Sequence, residues 1–329
     1  MQSPNKNFEA LRAATDRLLH APPTGRKNAG AVDGLRRVLT QPVDIHNLER
    51  TETRLDQGIA IAPAMAIRCL RDSVRTGEFI RGLHAAIQKA RQIFRDEVIR
   101  VLYPTCGPFG TLALPLTTQF APEQVQFELL DYHRNSVDTV SGLIDHFGVQ
   151  QWVSNLQPGN ALTHTCARPP HIVVVEAIDR ALLNEPQAAI TTYWAPQMMP
   201  GGIFVPERIA VRLYLKNHPW FSEWLFDFPE KETDLGTVFA LTSRTKVDAR
   251  VHREFRLPSR EAMQYSRYNI LLGTTVQVFG AHAICEGEAH ITHPFLLDEG
   301  RVGPGDHLRT FVLDYAPGQL EETVLFTSL

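Results

Sequence analysis

The sequence predicts an α/β fold in three regions: a helical N-terminal cap, a parallel sheet covered by helices, and a C-terminal antiparallel β domain. Three observations favour this prediction. Apolar residues recur at helical spacing before residue 98, and short β-rich runs then alternate with helical stretches up to residue 215. Alternating β-rich stretches follow over residues 274–279, 281–291 and 308–313, with turns at 287–288 and 303–305, and predict a barrel or sandwich. The expected regions are therefore residues 1–97, 98–215 and 216–329.

The N-terminal region is predicted to form helices that cover the rest of the chain. Its apolar residues keep helical spacing, for example at Ile80, Leu83 and Ile87. Pro, Gly and Asn residues over 21–30 interrupt the pattern and indicate a loop.

Composition and charge limit the classes of function. With 329 residues, 43% of them hydrophobic, the chain can bury a large core. A formal net charge of −3 gives no positive field for nucleic acid, so no nucleic acid partner is expected. No apolar run reaches the roughly 20 residues that span a bilayer, and the N-terminus has no signal-peptide stretch. We therefore expect a cytoplasmic protein without a membrane partner.

The four cysteines, Cys69, Cys106, Cys166 and Cys285, are scattered and have no CxxC spacing. This spacing predicts reduced thiols, without a disulfide framework and without a metal site. The β-rich C-terminal region makes a homodimer possible, although the sequence does not identify its surface.

Four β-rich runs are the strand predictions for the middle region: Ile99–Leu102, Val125–Leu130, Ile172–Val175 and Ile203–Leu215. Their alternation with helical stretches predicts βαβ units, and hence a parallel sheet. In such a sheet ligands bind at the carboxyl ends of the strands, so the residues that follow each run are the first candidates for a site.

The first run leads through Tyr103 into a turn that contains Cys106, Gly107 and Gly110, and then into a predicted helix opened by Thr111. Glycine lets the backbone approach a ligand closely, and a helix N-terminus offers unpaired N–H groups. We interpret this segment as a candidate ligand-binding turn. An ordinary tight turn is the alternative, because two glycines before a helix are common.

The second run ends at Asp131, which is followed by Tyr132 and His133. A carboxylate at this strand end, about twenty residues after a glycine turn, is typical of a group that holds ribose hydroxyls. The alternative is a helix cap. A dinucleotide site is less well supported, because the GxGxxG pattern is absent.

Asn160 and Ala161 come before the third run. An asparagine amide and a backbone N–H at this place can bind an adenine ring. An ordinary turn is the alternative for Asn160.

The order of these segments resembles class I S-adenosylmethionine-dependent methyltransferases, and most closely the protein arginine methyltransferase branch. That branch has two glutamates nine positions apart, followed by a proline-glycine-glycine turn, a strand and a proline. Here the pair is Glu176 and Glu185, and the later segment is Pro200–Pro206. The resemblance covers residues 98–215 and implies a Rossmann-like sheet that binds S-adenosylmethionine.

The resemblance implies these cofactor-binding residues: Tyr103, Cys106, Gly107, Gly110, Thr111, Asp131, His133, Asn160 and Ala161. It implies that Glu176 and Glu185 form the catalytic pair, with Tyr132 beside them. Two facing carboxylates can hold a planar guanidinium by paired hydrogen bonds and aim one nitrogen at the methyl group. A helix-capping role is the alternative for Glu185.

The chain also departs from that branch. Its C-terminal region has only a fragment, Thr292–Pro294, of the Thr-His-Trp loop, and its N-terminal region has no paired-tyrosine helix. Instead, residues 56–60 and 75–79 are expected to close over the site. Arg75 is a candidate for binding a substrate carboxylate, with an exposed helix charge as the alternative, and Asn135 is a second substrate-binding candidate. A helical cap excludes a polypeptide, so we expect a small-molecule substrate.

Three functions remain open from the sequence. The first is N-methylation of a small guanidino or amino compound in natural-product biosynthesis. The second is cyclisation of S-adenosylmethionine itself, which would form azetidine-2-carboxylate and release methylthioadenosine; Tyr103, Tyr132 and Asn135 are candidates for its site. The third is a binding module without catalytic activity on the same fold.

Overall fold

The fold consists of three connected parts that share one large apolar core. The computed structural model describes residues 5–217, 232–246, 250–256, 268–302 and 310–328. None of the helices in these ranges is both long enough and apolar enough to cross a membrane. The α/β class, with its parallel sheet and C-terminal antiparallel strands, is confirmed.

The N-terminal part contains four helices and a small hairpin. Its elements are α1 Lys6–His20, α2 Gly25–Thr40, β1 Thr53–Leu55, β2 Gly58–Ala60, α3 Ala66–Arg71 and α4 Ser73–Ile93. The Asn5 side chain caps α1, and the Asp72 side chain caps α4 by accepting from the Arg75 N–H. The loop predicted over 21–30 is shorter in the structure, because Gly30 lies within α2.

Five parallel strands form the central sheet, and the two α-helices that connect them lie on opposite faces of the sheet. The elements are β3 Ile99–Tyr103, β4 Val125–Asp131, α5 Arg134–Phe147, β5 Val153–Pro158, β6 Ile172–Val174, α6 Gln187–Trp194 and β7 Ile203–Val205. The strand order is β5-β4-β3-β6-β7. Chain order reverses between β3 and β6, and the carboxyl end of such a switch point is where ligands bind in open parallel sheets.

Side-chain alternation along β3 divides the core between two faces. Val101 and Tyr103 pack in the cluster shared with the N-terminal helices, whereas Leu102 packs with Trp194 of α6 on the other face. The same alternation holds on β6, where Val174 faces the larger cluster and Val173 the smaller one. Both faces of the sheet are therefore covered, as a parallel sheet requires.

Three features of the middle region differ from the sequence prediction. No α-helix follows the glycine turn; residues 107–113 form turns, and a short 3₁₀ helix spans Leu114–Thr118. Gly110 has φ +51°, which a right-handed helix does not allow. The predictions missed β5, a polar edge strand that ends in Pro158. They also placed a single strand over residues 203–215, where the structure has two strands, one on each side of Pro206.

The described residues after β7 contain eight strands: β8 Arg208–Asn217, β9 Glu232–Leu241, β10 Val251–Arg256, β11 Tyr268–Phe279, β12 His282–Ile284, β13 Phe295–Val302, β14 Thr310–Tyr315 and β15 Val324–Ser328. They form two antiparallel sheets, one with the order β12-β11-β8-β9 and β13 beside β11, the other with the order β10-β14-β15. Since β8 pairs with β11, the antiparallel part begins near Pro206 and not at the predicted residue 216.

The strand predicted over Ala281–Ile291 is mostly wrong. Only β12 is extended there, because Gly287 turns the chain with φ +79° and a 3₁₀ helix follows over His290–Thr292. The turn predicted at residues 303–305 lies outside the described residues.

Helix α4 packs against both the parallel sheet and strands β11 and β12, so it connects the two β regions.

Candidate functional site

A pocket of about 1090 Å³, including the space at its open mouth, lies at the carboxyl ends of β3, β4 and β6. Its floor is the switch point of the parallel sheet. Its cover is the N-terminal part, namely β1 and β2 with their connecting turn, which we call the covering hairpin, together with residues 61–66 and the start of α4.

Asp131 joins the glycine turn to the end of β4. Its Oδ2 atom accepts from the Gly107 N–H at 2.9 Å, and its Oδ1 atom accepts from the His133 N–H at 3.0 Å. A carboxylate has about four acceptor positions, so two remain for a ligand. Gly107 has φ +61° and lines the pocket, where a Cβ atom would meet nothing within 4 Å. The pocket wall beside this turn is therefore open to a ligand.

Most of the other predicted cofactor-binding residues also line this pocket. Tyr103, Cys106 and Thr111 do so, with Tyr103 only 3% exposed, and burial raises the pKa of its phenol well above the ordinary value. Gly110 is not in the lining, because the Leu114 side chain packs where its Cβ would be. Its positive φ shapes the turn, although Gly110 itself is not part of the pocket wall.

Asn160 and Ala161 also line the pocket. The Asn160 Oδ1 atom accepts from the Leu162 N–H at 2.8 Å, so the side chain also stabilises its own turn. The Ala161 carbonyl accepts from the indole N–H of Trp194 at 2.8 Å. This hydrogen bond from α6 therefore holds in place the segment that would face an adenine ring.

Tyr132 and His133 both line the pocket, and Asn135 does not. Tyr132 is 41% exposed, and its ring meets that of His133 edge-on at 5.6 Å. The Asn135 side chain instead accepts from the Glu49 N–H at 2.9 Å and donates to the Asn47 carbonyl at 3.2 Å. Asn135 therefore tethers the chain that leads into the covering hairpin, which corrects its expected contact with substrate.

Arg75 lies against Glu176 inside the pocket. Both Nε and Nη2 of its guanidinium donate to Glu176 Oε1, and the two side chains are 7% and 13% exposed. Burial disfavours the charged guanidinium, but the Glu176 carboxylate raises the pKa of Arg75 above its ordinary value. The exposed helix charge considered from the sequence is therefore wrong. The glutamate pair was expected to hold the guanidinium of a substrate. One member of the pair, Glu176, already contacts the guanidinium of Arg75 in the chain itself.

Glu185 is the second carboxyl group of the pocket. Burial raises its pKa from the ordinary 4.5 to about 8, while Arg75 opposes this rise and Asp179 and Glu176 add to it. Asp179 positions the backbone here, because its carboxylate accepts from the N–H groups of Asn184 at 3.0 Å and Glu185 at 3.3 Å. Glu185 therefore keeps its proton to a higher pH than an ordinary carboxyl group does.

The two glutamates are connected by residues 176–185, which we call the acidic loop. Ala181 and Leu182 in this loop are buried and have φ values of 56° and 54°, a conformation that costs non-glycine residues about 1–3 kcal/mol each. C-terminal groups hold it: Thr274 Oγ1 accepts from the Ala181 N–H at 2.9 Å, and the Tyr315 hydroxyl donates to the Ala181 carbonyl at 2.5 Å. The Gly318 N–H donates to the Leu182 carbonyl at 2.7 Å.

Sequence reasoning missed these bracing residues. They lie 93 residues or more from the loop in sequence, and a threonine, a tyrosine and a glycine carry no motif. Nothing in local spacing would have identified them.

The covering hairpin rests directly on the acidic loop. The Ile59 N–H donates to the Asn184 carbonyl at 2.7 Å. Gly58 has φ +138°, and a Cβ atom there would lie 2.6 Å from the Asn184 carbonyl oxygen and 3.0 Å from the Pro186 nitrogen. Only glycine allows this approach. The contact links the cover of the pocket to Glu185.

Gly58→Ala should detach the covering hairpin. The added methyl group meets backbone atoms, so the hairpin must move, and we expect faster amide hydrogen exchange over residues 53–60 and a loss of about 1–3 kcal/mol in stability. The matched control is Gly34→Ala in α2, where a Cβ would meet nothing within 4 Å. That change should leave exchange in the hairpin unaltered. Unchanged exchange in Gly58→Ala would show that the hairpin is not held in this way.

Thermal stability should fall as the pH rises, through Glu185. Between pH 4.5 and about 8 the folded chain keeps a proton on Glu185 that the unfolded chain has lost, so folding binds a proton. The stabilisation is complete below pH 4.5 and is lost as the pH rises through 8. Melting temperatures from pH 5.5 to 8.5 should therefore decline more steeply for wild type than for Glu185→Gln. Parallel curves would contradict the raised pKa.

Comparison with known proteins gives a similarity of fold. No protein-family model matches the chain, and no curated protein sequence is similar to it. Among solved structures, the Trypanosoma brucei PRMT1 enzyme-prozyme heterotetrameric complex with AdoHcy matches with a TM-score of 0.53 and 10% identity, covering 76% of this chain and 87% of that chain. Arabidopsis thaliana protein arginine methyltransferase 10, in an open conformation, matches with a TM-score of 0.52 and 12% identity, with the same coverage of both chains.

The fold of this chain is therefore that of class I methyltransferases, as the sequence motifs predicted. At this level of identity the similarity establishes the fold alone. The chemistry of this chain depends on the residues that line its pocket.

Proposed function

We propose that this protein is an S-adenosylmethionine-dependent N-methyltransferase that acts on a small amine. One observation carries the proposal: at the switch point of a methyltransferase fold, a covered pocket holds two carboxyl groups, and Arg75 of the same chain neutralises one of them. The site is therefore prepared for a small nucleophile that carries one positive charge at most.

The cofactor fits the part of the pocket formed by the glycine turn and β4. Asp131 has free acceptor positions for ribose hydroxyls, Gly107 leaves room beside the turn, and Asn160 lies where an adenine would meet an amide. S-adenosylmethionine, when bound, supplies a sulfonium methyl group, whose transfer leaves the electron pair of the broken bond on sulfur and yields S-adenosylhomocysteine.

Arg75 favours an amine over a guanidine as the acceptor. A clamp that holds a guanidinium between Glu176 and Glu185 uses both carboxylates, and Glu176 already accepts two hydrogen bonds from Arg75. A second guanidinium beside Arg75 would also place like charges together in a buried site. An ammonium group needs one carboxylate only, and Glu185 offers it once it has lost its proton, which a bound cation favours.

Glu185 then acts as the proton acceptor. An alkylammonium must lose a proton before its nitrogen can attack, and a carboxyl group with a pKa of about 8 is matched to that transfer near neutral pH. Glu176 keeps its charge balanced by Arg75, so it orients Arg75 and does not take the proton. The two glutamates therefore have different roles.

The cover of the pocket supports a small acceptor. The covering hairpin and residues 61–66 lie over the cofactor region, and Ile59 is hydrogen-bonded to the acidic loop. A polypeptide would have to displace this contact, whereas a small amine can enter through the open mouth.

Cyclisation of the cofactor is the second candidate. The same observation favours it: a covered pocket whose guanidinium position is filled from within does not require an external acceptor. In that case the amine that gives its proton to Glu185 belongs to the cofactor.

Product analysis separates these functions. The purified protein is incubated with S-adenosylmethionine, first alone and then with a panel of amino acids, polyamines and guanidino compounds. S-adenosylhomocysteine that appears only with amines supports the proposal, and methylthioadenosine formed without an acceptor supports cyclisation. Turnover of guanidino compounds in preference to amines would overturn the amine assignment, and no product of either kind would leave a binding module.

Asp131→Ala should weaken cofactor binding by roughly ten- to hundredfold. The change removes charge-assisted hydrogen bonds to a ligand and to Gly107, each worth about 1.5–3 kcal/mol. Calorimetry with S-adenosylhomocysteine measures it, and Asp131→Asn, which keeps one acceptor oxygen, should lose less. Affinity equal to wild type in Asp131→Ala would remove Asp131 from the site.

A further inference from the structure

A second group of functional side chains lies away from the pocket, on the face of the sheet covered by α6. Glu128 points out of β4 on this face, and His164 and Cys166 lie in the segment between β5 and β6. One ligand atom from each residue lies within 4.8 Å of the other two. The closest pair is His164 Nε2 and Glu128 Oε1, at 2.7 Å. Within the described residues this is the group with metal-ligand geometry.

Two amide side chains orient these groups. The Gln157 amide lies 2.9 Å from His164 Nδ1, and Asn155 Nδ2 donates to Glu128 Oε1 at 3.2 Å. Metal-binding histidines typically donate the N–H that does not bind the ion to an acceptor, and Gln157 supplies that acceptor when its amide turns its oxygen to Nδ1. The imidazole therefore presents Nε2 to the carboxylate and the thiol, and both amides come from the single strand β5.

We propose that Glu128, His164 and Cys166 bind a zinc ion, with water at the fourth position. Thiolate, imidazole and carboxylate together favour zinc over magnesium or calcium, which prefer oxygen ligands. Zinc bonds of about 2.0–2.3 Å place the ligand atoms roughly 3.3–3.8 Å apart, which small side-chain rotations reach from the present spacing. Binding releases the thiol proton to solvent, while the neutral imidazole keeps its one proton on Nδ1 and binds the ion through Nε2.

Charge and access are consistent with this site. A thiolate and a carboxylate neutralise a divalent ion, so the site as a whole is uncharged beside Arg100 and Arg168, which line the same cavity. Glu128 and His164 also line that cavity, which opens to solvent and gives an ion a route of entry.

The zinc site would also fix the wall of the cofactor pocket. The His164 N–H donates to the Asn160 carbonyl at 3.1 Å, and Asn160 lines the pocket. An ion on the His164 side chain therefore holds the turn that carries Asn160. The metal assignment itself does not depend on the proposed function.

Metal content and spectroscopy test the proposal on the full chain. The protein is depleted with a chelator, given zinc or cobalt alone, and desalted. We expect one zinc per chain, a rise in melting temperature with zinc, and a thiolate-to-cobalt absorption band. Cys166→Ser and His164→Gln should each lower zinc affinity at least a hundredfold, whereas Cys285→Ser, an exposed cysteine in the C-terminal part, should bind as wild type does.

Circular dichroism in chelator checks that the variants fold. If Cys166→Ser fails to fold, Gln157→Ala keeps all three ligands and should lower zinc affinity about tenfold or more. Absence of zinc uptake by the wild type, no thiolate band with cobalt, or uptake that neither ligand variant changes would each overturn the proposal.

Discussion

Replacing Glu185 with glutamine should lower turnover by roughly a hundredfold or more, while the affinity for S-adenosylhomocysteine stays near wild type. Glutamine has the same size but cannot take a proton, and proton transfer by a positioned side chain contributes about 10²–10⁴ in rate. The wild-type rate should rise as the pH approaches 8, since the ionised fraction of Glu185 increases. The variant should lose that rise. Steady-state rates from pH 6 to 9 give both results.

Glu254→Gln on β10 is the matched control, because the same chemical change there is at an exposed position. Its rate and pH profile should equal those of wild type. A Glu185→Gln variant that turns over normally would show that the proton leaves by another route. Activity lost together with cofactor affinity would point to a disturbed pocket.

Arg75→Ala should produce the largest loss of stability, and guanidinium should partly restore it. Removing one partner of a buried ion pair leaves the other charge uncompensated and costs about 3–5 kcal/mol. The truncated side chain also leaves a space shaped for a guanidinium next to Glu176. Millimolar guanidinium should therefore raise both melting temperature and turnover in this variant, and ammonium at the same concentration should not.

Two further variants make this experiment decisive. Arg71→Ala, at an exposed position on α3, should neither lose stability nor respond to guanidinium. Arg75→Met combined with Glu176→Gln removes both charges and should regain most of the stability. If Arg75→Ala is as stable as wild type, the internal ion pair does not hold the pocket together. If wild type methylates free arginine readily, Glu176 is accessible to substrate despite Arg75.

Strand-end positions were the part of the site that the sequence could predict. Asp131 and Glu176 follow apolar runs, and parallel strands bring their carboxyl ends to one edge, so both were expected in one pocket. The covering hairpin was expected as a segment that closes over the site, but not as β-structure, because three-residue strands carry no periodicity.

Partners across long distances in sequence could not be predicted. Arg75 was assigned to a substrate carboxylate, because a sequence does not show that its guanidinium lies beside Glu176, 101 positions away. Cysteine spacing could not indicate the group of Glu128, His164 and Cys166 for the same reason, because Glu128 and His164 are 36 residues apart on different elements. Thr111 was expected to open a helix, because the sequence does not show that Gly110 takes a positive φ.

The hydrogen bonds that hold the acidic loop have a consequence for the order in which the chain folds during synthesis. Tyr315 bonds to Ala181 across 134 residues of chain, and Gly318 bonds to Leu182. Contacts of such length close late, because the entropy of the intervening chain opposes them. The parallel sheet can therefore form on the ribosome while the acidic loop is still unbraced. The hydrogen bonds from Tyr315 and Gly318 to the acidic loop can form only after residue 318 has emerged.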